Sequence, residues 1–205
     1  MSRADAARNR ELLIDAASAE LSEHGLDVSV ARIAARAGVA KGTVFNHFSS
    51  KEELVSAIFC EQLGALAATG EALLEHPDPR DALLRFVTAG AELQADDRSF
   101  CEAAIATSRD HPAIRAASDR LAQVAEKLTS RARQAGAIRA DVTGHDIVLL
   151  LGAPTRIAAP LAAARPDLWR RYLHLIFDGL RPEAVAHELP VTAPTHRDFT
   201  TAATR

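Results

Sequence analysis

Apolar residues recur at three- and four-residue spacing along almost the whole chain, and alternating apolar–polar stretches are nearly absent. That pattern predicts helix after helix. The first helix is expected over about residues 7–24, with Leu13, Ala17 and Leu21 on one face, Ala16 beside them, and Gly25 placed for a left-handed cap. A short helix should follow Ser29, and another should occupy about 41–48. Ser50-Lys51-Glu52-Glu53 has the form of a capping box. It opens a helix carrying Leu54, Ile58, Leu63, Leu66 and Leu73, which should continue as far as Pro77. Asp78-Pro79 opens the next, with Leu83, Phe86, Val87, Gly90 and Leu93. A shorter helix is expected over 98–108. His111-Pro112 then starts one with Ala117, Leu121, Val124 and Leu128 inward, ended by Gly136. Thr143 to Asp146 cap a helix that Pro154 should kink or break. A last helix, about 167–180, carries Trp169, Tyr172, Leu173, Ile176 and Phe177. From residue 188 onward the chain turns to Pro, Thr and Ala, and no regular structure is expected. The fold class is therefore all-α.

The segment from Ser29 to Phe48 carries the most information. Ser29 can cap a helix whose Ile33, Ala34 and Ala37 face inward, and the small residues let a second helix approach closely. Gly38 stands where that helix must end in a tight turn of positive φ. Val39 fills the corner. In the second helix Val44 and Phe48 face inward, leaving Lys41, Thr43, Asn46 and His47 outward. A short helix of this kind, steeply inclined to its neighbour, has the geometry that enters a major groove.

Charge distribution supports that reading where net charge does not. The formal net charge is −3, yet from Val28 to Lys51 the charged residues are Arg32, Arg36, Lys41 and Lys51, without an acid. Arg3, Arg8 and Arg10 add basic character at the N-terminus. Local basic charge, rather than the average, is what phosphate binding needs. Apolar residues make up 48% and charged residues 25% of the chain, ordinary values for a globular protein. The longest apolar run, Ile147 to Leu151, is far short of the roughly 20 residues of a membrane span. The N-terminus lacks the apolar core of a secretory leader, so a cytoplasmic location without membrane partners is expected. The Arg- and Ala-rich composition points to a GC-rich bacterial source. Cys60 and Cys101 read as structural thiols, with a redox switch as the sharper alternative.

Ile33-Ala34-x-x-Ala37-Gly38-Val39, followed by Lys41-Gly42-Thr43-Val44-Phe45-x-x-Phe48-x-x-Lys51-Glu52-x-Leu54, resembles the signature of the tetracycline-repressor (TetR) family. Two later fragments, Gly136-x-Ile138-Arg139-x-Asp141-Val142-Thr143-x-x-Asp146 and Asp178-Gly179-Leu180-Arg181, resemble it more loosely. The resemblance implies a three-helix DNA-binding domain with a helix-turn-helix (1–52), a larger helical ligand-binding and dimerisation domain (53–187), and a tail (188–205) without regular structure. It implies a repressor that binds a near-palindromic operator through the third helix and is released by an unidentified small-molecule effector. Lys41, Gly42, Thr43 and Asn46 would face bases or nearby phosphates. Ser29 would grip a phosphate where the family usually has Thr, His47 would lie near the DNA backbone, and Lys51 would pair with a phosphate. Ala40 replaces a usual Ser, and Phe45 replaces a usual Tyr that touches the DNA backbone. Phe86, Phe100, Ile105, Arg109 and Arg156 would fall on helices around an effector cavity; plain core packing for the aromatics and surface charge for the arginines are the alternatives. Leu149, Leu150, Ile157, Tyr172, Ile176 and Phe177 are candidates for a homodimer interface.

No catalytic constellation competes with this reading. The eight histidines are scattered, no pair of them falls at i, i+4 beside a carboxylate in metal-ligand fashion, and no phosphate-binding glycine loop or nucleophile elbow is present. Neither an enzyme nor a cofactor is expected. A protein that only bends or packages DNA would have no need of a separate large helical core.

Overall fold

The structure, a computed structural model, describes residues 3–25, 27–96 and 111–202. Within them the chain forms α1 (Arg3–His24), α2 (Val30–Arg36), α3 (Lys41–His47), α4 (Lys51–Leu73), α5 (Pro79–Asp96), α6 (Pro112–Gln134), α7 (Gly144–Leu150), α8 (Ala153–Ala158), α9 (Leu168–Asp178) and α10 (His196–Ala202). Single 3-10 turns lie at Ala159–Leu161 and Pro182–Ala184, and no strand occurs among the described residues. The helix expected over 98–108 lies outside the described residues.

The chain divides into two compact units, Met1–Gln62 with Asp96–Arg115, and Leu63–Ala95 with Ala116–Arg205. The first boundary thus falls inside α4 rather than at residue 52. The reason is packing: Leu54, Val55, Ile58 and Phe59, all from the first half of α4, are buried and belong to the N-terminal unit.

In the N-terminal unit the buried side chains are Leu13, Ala17 and Leu21 of α1, Ile33 and Ala34 of α2, Val44 and Phe48 at α3, and the α4 residues just named. Helix α2 starts at Ser29, whose Oγ accepts from the Arg32 amide at 3.3 Å. It ends in a Schellman turn: Val39 N–H donates to Ala34 O (3.0 Å) and Gly38 N–H to Ala35 O (3.2 Å), with Gly38 at φ +69°. That left-handed residue reverses the chain in the space of one cap. At α4 the Glu53 amide donates to Ser50 Oγ (3.2 Å), as a capping box requires. The Glu53 carboxylate, however, reaches back to Ser49, accepting from its amide and its hydroxyl at 2.6 Å each.

Helices α1 and α2 are also braced by charge. Glu20, nearly enclosed, accepts from Arg32 Nε (2.6 Å) and Arg36 Nη1 (3.2 Å). Glu23 takes both ends of the Arg36 fork at 2.7 and 2.9 Å. His24 Nε2 lies 2.7 Å from Arg32 Nη2.

The larger unit is held by close approaches. Its core is built from Leu66 and Ala67 of α4, Leu83, Phe86 and Val87 of α5, Leu121, Val124 and Leu128 of α6, and Ile147, Trp169, Leu173 and Phe177 further on. The Glu126 carboxylate of α6 accepts from Arg133 Nη2 and from the Gly144 amide, both at 2.6 Å. Arg133 Nη1 donates to Val142 O (3.0 Å). The two loosely matching fragments meet here, since the Arg139 amide donates to Leu180 O at 2.8 Å. A full capping box, Thr143 with Asp146, starts α7. Pro154 sits in the first turn of α8, so the expected kink is a complete break at Leu151-Gly152.

The tail departs from expectation. Residues 196–202 form α10, started by Thr195 and Asp198: the Asp198 carboxylate accepts from the Thr195 amide and hydroxyl at 2.7 Å each. A Thr-x-x-Asp capping signal outweighed the low apolar content there.

Two outcomes are expected from this packing. A Cβ on Gly144 would lie 2.5 Å from the backbone N and Cα of Glu126, so Gly144→Ala should lower stability by about 1–3 kcal/mol through forced backbone movement; the urea midpoint measures it. The second concerns acid. Hydrogen bonds from Arg32 hold the Glu20 carboxyl below the ordinary glutamate value of 4.5, and those from Arg36 do the same for Glu23. Carboxyls depressed by folding bind protons more readily in the unfolded chain, so their stabilisation is full above 4.5 and disappears as pH falls through the folded values. Unfolding midpoints should therefore drop as pH is lowered below about 4.5, and less steeply in Glu20→Gln/Glu23→Gln, whose brace is already weakened at neutral pH.

Candidate nucleic-acid interface

The outward surface of α3 follows from its inward one. Val44 and Phe48 are one helical turn apart and both are 2% exposed. Fixing these two leaves Lys41, Gly42, Phe45 and Asn46 exposed, with Thr43 half-buried beside them. The start of α3 has no side-chain cap, because Ala40 offers none, and the Thr43 amide bonds instead to Ala40 O (2.8 Å). No side-chain oxygen therefore caps the N-terminus of α3, the positive end of the helix dipole, which favours an anion.

Phe45 is an exposed large apolar side chain at 47%. Lys41 Nζ stands 6.0 Å from its ring centroid, so the ring is packed against a cation rather than against the core. Gly42 is informative in a different way. A Cβ built there would meet nothing within 4 Å, so the protein's own packing does not exclude alanine. Glycine inside a helix costs roughly 1 kcal/mol relative to alanine. Its smallness therefore serves no neighbour in this chain.

Ser29 keeps its hydroxyl hydrogen after accepting from Arg32, so it can still donate to an anion. Lys51 opens α4. His47 differs from the rest: it is half-buried, and its Nε2 is enclosed without a hydrogen-bond partner. It lines a cleft of about 260 Å³ with Arg10, Phe48, Glu53, Cys60 and His111, behind the exposed face of α3.

The basic residues near the motif divide into two classes that the linear charge count merges. Arg32 and Arg36 are engaged by Glu20 and Glu23. Arg10 lies 5.3 Å from the Phe48 ring centroid and 3.8 Å from Glu61. Lys41 and Arg8 remain exposed. The acids that neutralise α2 come from α1, ten or more residues upstream, and the acid-free run from Val28 to Lys51 gave no sign of them. Helical spacing could have revealed them: Glu20 and Glu23 share the C-terminal turns of α1 with His24.

Glu20, Glu23 and His24 bring ligand atoms within 4.8 Å of one another, but both carboxylates are committed to guanidinium groups, which compete with any cation. Burial pushes the Cys60 thiol up, away from thiolate chemistry; Cys101 lies outside the described residues. No helix among the described residues is long and apolar enough to cross a membrane.

In the larger unit the expected residues are dispersed. Phe86 is fully buried, and with Val124 it fills the space opposite Gly70, where a Cβ would come within 2.9 Å of both. Arg156 is exposed on α8. Phe100, Ile105 and Arg109 lie outside the described residues. Among the interface candidates Leu149 and Ile157 are exposed, while Leu150, Tyr172 and Ile176 are half-buried. Phe177 is buried with Arg80 stacked 4.8 Å from its centroid, so it faces the core. Leu175, exposed at the surface of α9, was not singled out, although it lies three residues beyond Tyr172.

Comparison with known proteins bears on both units. The family profile described as bacterial regulatory proteins, tetR family, matches residues 13–58, and that of the SbtR-like transcriptional regulator C-terminal domain matches residues 78–182. An uncharacterized HTH-type transcriptional regulator of Mycobacterium tuberculosis is 28% identical over 120 residues, covering 58% of this chain and 56% of that protein; the match thus spans little more than half of the relative. A TetR regulatory protein from Mycobacterium vanbaalenii, known by crystal structure, is 30% identical with a TM-score of 0.66, covering 87% of this chain and 98% of its own. A TetR regulator from Streptomyces coelicolor is 27% identical with a TM-score of 0.65, covering 84% and 98%. With a basic, acid-free α3 face on a helix-turn-helix and a C-terminal profile that matches residues 78–182, this chain belongs to the TetR family of bacterial transcriptional regulators.

Proposed function

We propose that this protein is a repressor that binds a near-palindromic operator as a homodimer, with α3 of each protomer in a major groove, and leaves the DNA when a small-molecule effector occupies the larger unit. The observation that carries the DNA reading is the exposed face of α3. It offers a cation at Lys41, a hydrogen-bonding pair at Thr43 and Asn46, an open N-terminal turn, and at Gly42 a missing side chain that only an outside surface can use. A DNA backbone approaching the first turn of α3 is such a surface. One recognition helix reads only a few base pairs, so two are needed, in grooves about 34–36 Å apart or a multiple of that spacing. Exposed Leu149, Ile157 and Leu175 supply apolar surface for the second copy.

Release by an effector requires that it bind the DNA-free arrangement more tightly, by the same free energy that DNA binding loses. A second unit with its own core, matched to a regulator's C-terminal domain, is where such a ligand would act. A cytoplasmic location suits a repressor of this kind.

Gly42→Ala gives the sharpest test. It should leave the fold as stable or raise stability by up to about 1 kcal/mol, yet weaken operator binding through steric contact with DNA. Denaturant midpoints and operator affinity, measured on one preparation, read both; unchanged affinity would remove DNA from the space beside Gly42. Asn46→Ala should alter base preference, since base contacts discriminate by ~1–3 kcal/mol each, whereas Lys51→Ala should weaken all duplexes alike and lower the salt slope by about one phosphate per subunit. Competition against single-base operator variants at two salt concentrations separates the two behaviours.

Phe45→Tyr should tighten binding to operator and scrambled duplex equally, by about 0.5–1 kcal/mol. A hydroxyl on this exposed ring can donate to a charged oxygen, but it replaces water that already solvates the phosphate. A variant that binds no better while folded would place the Phe45 ring edge away from the DNA backbone.

A further inference from the structure

Arg32 and Arg36 are two of the four basic residues between Val28 and Lys51, and both are matched by acids of α1. Arg32 Nε donates to Glu20 Oε2 at 2.6 Å, and Arg36 Nη1 donates to Glu20 Oε1 at 3.2 Å. Glu23 takes both ends of the Arg36 fork. His24 Nε2 lies 2.7 Å from Arg32 Nη2, as an acceptor for a group that only donates. Two carboxylates thus face two guanidiniums, and these four charges sum to zero.

Stability alone explains this cluster poorly. Glu20 is 6% exposed, and a buried ion pair contributes little more than apolar packing of the same volume. Glu23 is exposed, and pairs at such positions contribute only about 0–1 kcal/mol. The effect on the field outside the protein is larger. Arg32 stands one turn beyond Ser29 on α2, its amide bonded to the Ser29 hydroxyl at 3.3 Å, and its side chain is 53% exposed. It therefore lies within about a Debye length, roughly 10 Å at 0.1 M salt, of a phosphate held by Ser29. A cation acting there would raise affinity for every duplex, because phosphate contacts carry no sequence information. Glu20 lies behind that cation and cancels it.

We infer that Glu20 and Glu23 are counter-charges that limit sequence-independent DNA binding, holding Arg32 and Arg36 out of phosphate contacts that the start of α2 would otherwise make. The inference rests on the DNA reading above and gives α1 a part in selectivity. Protein that is not retained by random sequence stays available to the operator, since random sites outnumber it greatly.

The test uses the full-length protein and a fluorescent duplex of mixed sequence, titrated at salt concentrations from about 50 to 200 mM. Glu20→Gln keeps the side-chain volume and an acceptor for Arg32 while removing the charge. It should bind about tenfold more tightly at the lowest salt and steepen the salt slope by about one phosphate per subunit. Glu20→Gln/Arg32→Gln restores the charge balance and should return both readings to wild-type values, which a purely structural effect of the Glu20 change would not do. Far-UV circular dichroism with a thermal scan checks the fold. If Glu20→Gln unfolds, Glu23→Gln carries the same test through Arg36, with Glu23→Gln/Arg36→Gln as its compensated pair. A folded single variant with unchanged affinity and slope overturns the inference and leaves the DNA reading standing. Weaker binding also overturns it, since the carboxylate then positions α2 for DNA, and so does a gain that persists in the compensated pair. Wild-type protein that binds no duplex at the lowest salt overturns the DNA reading, and the inference with it.

Discussion

The burial of Val44 on α3 and of Phe48, the residue that caps its C-terminus, determines the direction of the other side chains on that helix. Seven residues give α3 too few backbone hydrogen bonds to stand alone, so its existence depends on the seam formed with α1, α2 and α4. Once that seam is closed, a 100° step per residue carries Lys41, Gly42, Phe45 and Asn46 outward. The Schellman turn at Gly38 sets where α3 can begin, and the small Ala34 lets the two helices meet. The exposed face of α3 is thus a consequence of what the core excludes.

Charge is arranged by the same economy. The arginines of α2 lie beside the motif but spend their hydrogen bonds on Glu20 and Glu23, which stabilises the α1–α2 pair and removes two cations from the field that DNA would meet. Arg10 is similarly engaged by the Phe48 ring and Glu61. What remains exposed near α3 is chiefly Lys41. A protein of net negative charge can attract a polyanion only through such local concentration.

In the larger unit, glycines and backbone-directed side chains do the corresponding work. Gly70 brings α4 within reach of Phe86 and Val124, and Gly144 lets α7 start against the backbone of α6, where the Glu126 carboxylate accepts from the Gly144 amide in addition to the Thr143–Asp146 capping box. The break at Leu151-Gly152 divides what would have been one long helix into α7 and α8. Phe86 is consumed by this packing, which favours the core reading of that aromatic.

Among the described residues the sequence by itself determined the helical segments other than α10, where most of them begin and end, and which side of α3 is polar. Those properties are local: they follow from 3.6-residue periodicity, from Ser29, Gly38, Thr143 and Gly136 at helix ends, and from Pro112 and Pro154 in first turns. The motif from Ile33 to Leu54 likewise carried the family, because each apolar position in it is needed for one compact three-helix arrangement. Only the tertiary structure decided how the charges pair, that His47 turns toward a cleft, that Phe177 faces Arg80 and the core while Leu175 does not, and that α4 is shared between two compact units. These depend on side chains ten to a hundred residues apart meeting in space, such as Glu20 with Arg32 or Arg80 with Asp178. A linear pattern records which faces are apolar, but not which neighbour each face will find.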